Sequence, residues 1–192
     1  MQTISLNGSW TLQQCGKSGA IPASVPGCVH RDLLDAKRIP DPYYRDNEDR
    51  LQWIGEVDWR YTRTFDVSSA ILRQSTILLR CDGLDTLATV RLNGRTVGKT
   101  DNMFRTWEFD VRRLLRPGRN TIEVLFRSTI AEIKRRQAAT KIPSWSGPKE
   151  IGGRAWIRKE PCNYGWDWGP VLITCGIWRP IRLIAFSHAR LS

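Results

Sequence analysis

The sequence has few of the residues from which catalytic and metal sites are usually built. It contains two histidines in 192 residues, His30 and His188, and neither lies in a metal-ligand spacing such as H-E-x-x-H. It also lacks a nucleophile-elbow motif and a glycine loop followed by Lys-Ser or Lys-Thr that would hold phosphate. We therefore predict no metal, no cofactor and no catalytic residue of these classes in this chain.

The sequence also lacks a cysteine pattern typical of disulfide or zinc sites, and it lacks long apolar runs. The five cysteines, at positions 15, 28, 81, 162 and 175, include no C-x-x-C pair and leave one over after pairing. This pattern favours a reducing compartment over a disulfide framework or a zinc site. No window approaches the length of a membrane span, and the residues after Met1 lack the features of a signal peptide. We expect a cytoplasmic location and no membrane partner.

Negative charge is in short supply, because 30 Lys and Arg face 19 Asp and Glu, for a net charge of +11. Basic chains often bind nucleic acid. Here the cations are spread from Lys17 to Arg190 and mostly alternate with apolar residues, as on the outer faces of strands. We therefore predict no nucleic-acid partner, and a basic nucleic-acid binder is kept only as a hypothesis to be tested.

Alternating apolar residues predict many short strands separated by turns. Residues 59–65 alternate strictly, which places Trp59, Tyr61 and Phe65 on one buried face. Asn93-Gly94 lies between two alternating segments, and both positions of a two-residue hairpin turn require positive φ. Further strands are predicted after the turn at 7–8 and at 77–81, 104–111, 122–126, 154–158 and 181–186.

Helical signals are confined to two short segments. Residues 29–37 and 128–139 are predicted helices, and 140–153 is the longest irregular stretch. Many short strands, little helix and no repeats predict an all-β fold, an antiparallel jelly-roll β-sandwich with one or two short helices. The length fits a single domain over residues 1–192.

The stretch 162–170 is the strongest functional signal. It places one carboxylate, Asp167, between Trp166 and Trp168, with a glycine on each side of the triplet. The glycines and Pro170 favour a shaped loop over a strand. The C–H faces of a sugar stack on indole rings, and a carboxylate accepts hydroxyl hydrogens. These three residues are therefore predicted to bind carbohydrate, with core packing of the tryptophans as the alternative.

Glycoside hydrolysis requires two carboxylates that face each other across the scissile bond. Asn47-Glu48 is a candidate because glycosidases often place Asn before the acid. It lies, however, in the charged run 45–50, which is typical of a solvated loop. Asp167 has no evident partner in the sequence. We predict no catalytic pair in this chain and assign Asp167 to substrate binding.

Many segments of the chain resemble the N-terminal β-sandwich domain of glycoside hydrolase family 2, a galactose-binding-domain-like fold. Residues 158–159 followed by 165–170 are similar to the β-mannosidases of that family in particular. The other matching segments are 7–10, 25–34, 39–44, 58–61, 81–86, 92–94, 102–104 and 176–180. The resemblance covers nearly the whole chain.

The resemblance implies an exo-acting β-mannosidase as the parent protein. Asp167 would hydrogen-bond the hydroxyls of a terminal mannose, and Trp166 and Trp168 would form walls of the same pocket. A separate (β/α)8 barrel would carry the two catalytic glutamates, after an immunoglobulin-like domain. We expect both domains to lie outside this chain, so that the chain alone is inactive, its loop is exposed, and some surplus cations lack intramolecular partners.

Two further interpretations remain open. The chain could be a free-standing carbohydrate-binding module of the same fold, or the equivalent domain of another family 2 glycosidase. The first predicts sugar binding by the isolated chain. The second is compatible with the Asn-Gly hairpin and with residues 176–179, which resemble family 2 in general.

Overall fold

The computed structural model describes residues 1–143 and 151–190. Short strands are the main regular elements of this part of the chain, and several of them alternate between buried and exposed side chains. In chain order the strands are β1 (Gln2–Ser5), β2 (Gly8–Gln14), β3 (Ile21–Val25), β4 (Trp59–Val67), β5 (Thr76–Cys81), β6 (Leu84–Asp85), β7 (Ala88–Leu92), β8 (Arg95–Thr100), β9 (Trp107–Asp110), β10 (Gly118–Phe126), β11 (Gly176–Ile177) and β12 (Ile181–Phe186).

Two antiparallel sheets form a sandwich. The smaller has the order β1-β12-β5-β9 and the larger the order β3-β2-β4-β10-β7-β8, while β11 and β6 pair separately. Apolar side chains of both sheets form one continuous core, which includes Tyr61 and Val124 from the larger sheet and Leu79 and Leu183 from the smaller. The predicted all-β sandwich is confirmed.

Strand β4 and the hairpin between β7 and β8 agree most closely with the sequence prediction. Trp59, Tyr61 and Phe65 of β4 are all buried, and β4 pairs along its whole length with β10. The hairpin between β7 and β8 turns at Asn93 and Gly94, whose φ values are 50° and 80°. Both lie in the left-handed region that this turn requires.

Both predicted helices are present, as α1 (Val29–Asp35) and α5 (Thr129–Ala139). The Ser128 hydroxyl caps α5 by accepting the Ala131 N–H at 3.3 Å, a common N-cap arrangement. Three four-residue helices add to the predicted ones: α2 (Asn47–Arg50), α3 (Trp53–Glu56) and α4 (Ser69–Leu72). The prediction that 45–50 is a loop is therefore wrong at 47–50.

The predicted strand at 154–158 is also wrong. Gly153 adopts a left-handed φ of 81°, and a 3₁₀ turn over Arg154–Trp156 follows it. The Ile157 N–H then donates to the Arg154 carbonyl at 3.0 Å. This short-range bond occupies backbone groups that a strand would use for pairing. The predicted strand at 104–111 is shortened to β9, and residues 144–150 of the predicted irregular stretch lie outside the described residues.

A second apolar cluster connects the sandwich to the segment that carries the tryptophan loop. It joins buried side chains of α5 to buried side chains on both sides of the loop. Its members are Leu87, Ile130, Ile133, Ile157, Tyr164, Val171 and Ile173. Burial of this size supplies several kcal/mol, at about 25 cal/mol per Å² of apolar surface removed from water. The loop therefore projects from a packed base.

None of the helices in the described part of the chain is long and apolar enough to span a bilayer.

Candidate functional site

The Trp166–Trp168 triplet lies at the tip of a short, tightly turned loop. A 3₁₀ turn over Pro161–Tyr164 leads into it, and Tyr164 is fully buried. Gly165 follows with a φ of 109°, a conformation that a side chain would strain. An antiparallel bridge between Trp166 and Gly169 then closes the loop. This geometry leaves Asp167 exposed at the turn, which agrees with the expected exposure of the loop.

The two tryptophans have different surroundings. Trp166 is 41% exposed and Trp168 is 73% exposed. The Arg154 guanidinium lies 4.7 Å from the centre of the Trp166 ring and also donates to the Gly165 carbonyl at 2.9 Å. One face of Trp166 is thus engaged by a cation. Core packing does not account for Trp168, whose ring is open to solvent.

Trp168 forms one wall of a cleft of about 480 Å³. Residues of α1 and of the loop that follows it, including Tyr43, also line the cleft. Tyr43 is 76% exposed. The remaining lining residues are Cys28, His30, Arg31, Leu34, Pro42, Cys162, Asn163, Gly169, Pro170, Leu172 and Thr174. A volume of this size lies within the range of small-molecule sites.

The histidine and the two cysteines of the cleft are neutral at pH 7, whereas Arg31 is positively charged. Burial and, to a smaller extent, the nearby Lys159 cation lower the pKa of His30 to about 4, while Asp85 acts against the shift. Burial raises the pKa of the Cys28 thiol and that of the Cys162 thiol. Neither an imidazolium nor a thiolate is available there, so these residues do not form a nucleophilic Cys-His site.

The helix α2 approaches the same loop from the other side. Glu48 and Trp168 line a shallow cavity of about 300 Å³ that adjoins the cleft. The Gln52 side-chain amide connects the two regions, because it donates to the carbonyls of Glu48 at 2.8 Å and Val171 at 2.7 Å. The charged run 45–50 is thus part of the surroundings of the loop.

Of the three predicted site residues, Trp168 lines the cleft, whereas its described lining does not include Trp166 or Asp167; other lining residues were missed by sequence reasoning. Tyr43, His30 and Asn163 line the cleft beside Trp168. The sequence contained one signal for them, the aromatic pair Tyr43-Tyr44 in a loop. No group of His, Cys, Asp or Glu side chains suited to a metal ion occurs among the described residues.

Comparison with known families decides the classification. Residues 10–179 match the family described as glycosyl hydrolase 2 galactose-binding domain-like. The chain belongs to this family. The match includes the loop and nearly all of the larger sheet, together with β5 and β9 of the smaller sheet, so the tryptophan loop of this glycosyl hydrolase 2 domain lies within the matched range.

The curated relatives of this glycosyl hydrolase 2 domain are larger proteins. The β-mannosidase of Bos taurus is 38% identical over 196 residues, which cover 99% of this chain and 22% of the relative. The β-mannosidase A of Emericella nidulans is 35% identical over 179 residues, which cover 91% of this chain and 19% of the relative. The chain thus spans about a fifth of the length of these relatives.

Solved structures support the same classification. The β-D-mannosidase of Dictyoglomus thermophilum superposes with a TM-score of 0.95 at 38% identity, over 100% of this chain and 23% of that structure. The exo-chitosanase of Amycolatopsis orientalis superposes with a TM-score of 0.71 at 18% identity, over 97% of this chain and 21% of that structure. The similarity to the exo-chitosanase shows a shared fold alone.

Proposed function

We propose that this chain is the N-terminal domain of an exo-β-mannosidase and that its loop binds the terminal mannose. The observation that carries the proposal is the exposed Asp167 between Trp166 and Trp168, on a loop with a packed base. A carboxylate in this setting can accept hydroxyl hydrogens while the indole rings cover sugar faces. The relatives named β-mannosidase support mannose as the sugar.

The proposed contribution of the loop is positioning. Cleavage with retention would use an acid/base and a nucleophile, both glutamates of a (β/α)8 barrel beyond an immunoglobulin-like domain. The substrate would be shared between barrel and loop. Holding the sugar at the correct angle increases the rate without a proton transfer from Asp167. The proposed compartment is the cytoplasm, which fits the five unpaired cysteines.

The test is Asp167→Ala in the full-length enzyme, with a nitrophenyl β-mannoside as substrate. We expect kcat/KM to fall by roughly a hundredfold or more, because hydrogen bonds to a charged group contribute about 1.5–3 kcal/mol each and Asp167 would accept more than one. The matched control is Asp66→Ala, which removes an exposed carboxylate from β4. Equal activity of Asp167→Ala and wild type would refute the proposal.

A free-standing carbohydrate-binding module is the second candidate. The observation in its favour is the cleft between Tyr43 and Trp168, because both walls are formed by this chain alone. Aromatic walls with a few polar groups between them are common in carbohydrate sites. The two candidates differ in whether the isolated chain binds sugar, which a titration of that chain with mannose decides.

A further inference from the structure

A buried polar cluster lies beneath the tryptophan loop. Lys159 is 3% exposed and Asp85 is 2% exposed, and their charged groups form an ion pair in which Nζ donates to Oδ2 at 2.5 Å. The Thr174 hydroxyl donates to the same carboxylate oxygen at 2.7 Å and accepts from Lys159 Nζ at 2.9 Å. Three groups thus form a closed triangle of hydrogen bonds.

The positions of these three groups along the chain show that the cluster holds both ends of one segment. Lys159 immediately precedes the segment 160–173, and Thr174 immediately follows it. Asp85 lies in β6, where it pairs with Gly176 of β11. One carboxylate therefore holds both ends of the segment that carries Trp166–Trp168. A further contact lies inside the segment, where Asn163 Oδ1 is 3.3 Å from the Thr174 hydroxyl.

A buried ion pair is a costly way to stabilise a fold. The loss of hydration of the two charges often equals or exceeds their attraction, and apolar replacements of similar volume are frequently as stable. Hydrogen bonds to a single oxygen are directional, however, and they fix the relative positions of the bonded groups more closely than apolar packing does. The cluster is therefore better suited to fix where the loop stands than to increase the stability of the sandwich.

We propose that Asp85, Lys159 and Thr174 act as a clamp that positions Asp167 for the sugar. The proposal rests on the proposed function of the loop. The three residues are proposed as positioning residues that act through Asp167, and Thr174 also lines the cleft beside Trp168. A displacement of about 1 Å in a substrate-holding group can lower a rate by up to a hundredfold. We therefore expect loosening of the clamp to reduce activity while the sandwich stays folded.

The first experiment compares Thr174→Val with Thr174→Ser in the full-length enzyme. Valine has nearly the shape of threonine but removes the hydrogen bonds of the hydroxyl to Asp85, Lys159 and Asn163, and it leaves the Asp85–Lys159 pair in place. Serine keeps the hydroxyl. With a nitrophenyl β-mannoside, we expect kcat/KM to fall about tenfold or more for Thr174→Val and less than about threefold for Thr174→Ser. Equal values for the two variants would overturn the proposal.

A double-mutant cycle tests whether the effect passes through Asp167. If it does, adding Thr174→Val to an Asp167→Ala enzyme changes kcat/KM by less than about twofold, because the positioned group is already absent. A loss as large as in the wild-type background would show a general structural effect and overturn the clamp. Wild-type activity of Asp167→Ala alone would instead overturn the proposed function, and the clamp with it.

Hydrogen exchange measured by mass spectrometry provides a readout that does not depend on activity. For Thr174→Val, we expect faster exchange confined to peptides from residues 160–173, with the strands unchanged. Thr174→Ser should exchange like wild type. Uniformly faster exchange across the sandwich would assign the hydroxyl to general stability and contradict the clamp. If Thr174→Val does not accumulate, Thr174→Ala replaces it in both experiments.

Discussion

His30 shows how a single side chain can make the stability of this domain depend on pH. It is 6% exposed, and burial, followed by the Lys159 cation, lowers its pKa from 6.5 to about 4. Between these two values the unfolded chain binds a proton that the folded chain does not. The free energy of unfolding therefore decreases as pH falls through this window.

From pH 7 to pH 5 the loss from His30 amounts to about 2 kcal/mol. Urea unfolding of the chain at both pH values measures it. His30→Gln removes the titrating group, so the difference between the two pH values should shrink by about this amount. His188→Gln removes the exposed histidine and should leave the difference as in wild type. An unchanged pH dependence in His30→Gln would exclude this assignment.

Other charged groups change the pH dependence mainly in stronger acid. The Arg80 and Arg182 guanidinium groups lower the pKa of Asp82 against the effect of its burial, and Arg190 lowers that of Glu108. The stability from these pairs is present above the ordinary carboxylate pKa and disappears as pH falls below it. Burial raises the pKa of Asp32, which opposes the effect of His30, so the His30 contribution is read from the difference between wild type and His30→Gln.

At the scale of elements, the approach of β8 to β9 depends on a residue without a side chain. A Cβ atom at Gly98 of β8 would lie 2.3 Å from Cε1 of Phe109, which belongs to β9 in the other sheet. The backbone of Gly98 does not have a left-handed φ, so the restriction is steric. Gly98 thus allows the two sheets to close over the Phe109 ring.

Gly98→Ala should lower the free energy of unfolding by about 1–3 kcal/mol, the usual cost of overpacking. Denaturant unfolding of the chain checks this value. Gly169→Ala is the matched control, since a Cβ there would meet nothing within 4 Å. Its expected effect is within about 0.5 kcal/mol. A Gly98→Ala domain as stable as wild type would mean that Phe109 can move aside without cost.

The elements that were predicted correctly from sequence are determined by residues that are close together in the chain. Asn93-Gly94 defines its own turn, and the alternation from Trp59 to Phe65 defines a buried face, so neither depends on distant residues. The segment 154–158 failed because the left-handed Gly153 begins a 3₁₀ turn, and apolar spacing does not reveal that conformation. Long strands with regular alternation are therefore more predictable than short irregular segments.

The candidate site likewise has residues that the sequence reveals and residues that only the folded chain reveals. Trp166–Trp168 could be identified because glycines, aromatic rings and a carboxylate are consecutive in sequence. Tyr43 lies 125 positions before Trp168, and only the folded chain shows that both line one cleft. Lys159 is one of 30 cations, and nothing in its neighbours indicates burial. Its partner Asp85 is 74 positions away, which puts the pair beyond pattern reasoning.

At the scale of the whole molecule, the question is whether the chain holds a complete sugar site. Asp167 is exposed to water that competes for its hydrogen bonds, and Trp166 already contacts Arg154. A small ligand gains little affinity from a few exposed contacts after the entropic cost of association. Under the proposed function, the other walls of the pocket would come from the proposed barrel.

Calorimetric titration of the 192-residue chain with mannose and with manno-oligosaccharides should therefore show no binding stronger than about 1 mM. Asp167→Ala in the same chain is the reference for nonspecific heat. A dissociation constant well below that limit, lost in Asp167→Ala, would favour the free-standing binding module and count against a site shared between domains.

The outer strands of the larger sheet have a consequence for behaviour in concentrated solution. β3 and β8 are its edges, and unpaired edges can join copies into aggregates. β3 contains Pro22, which has no N–H to offer, and β8 exposes Arg95 and Lys99. With a net charge of +11, approaching copies repel one another at low ionic strength. Colloidal stability then decreases with added salt, which screens this repulsion beyond about 8 Å at physiological concentration.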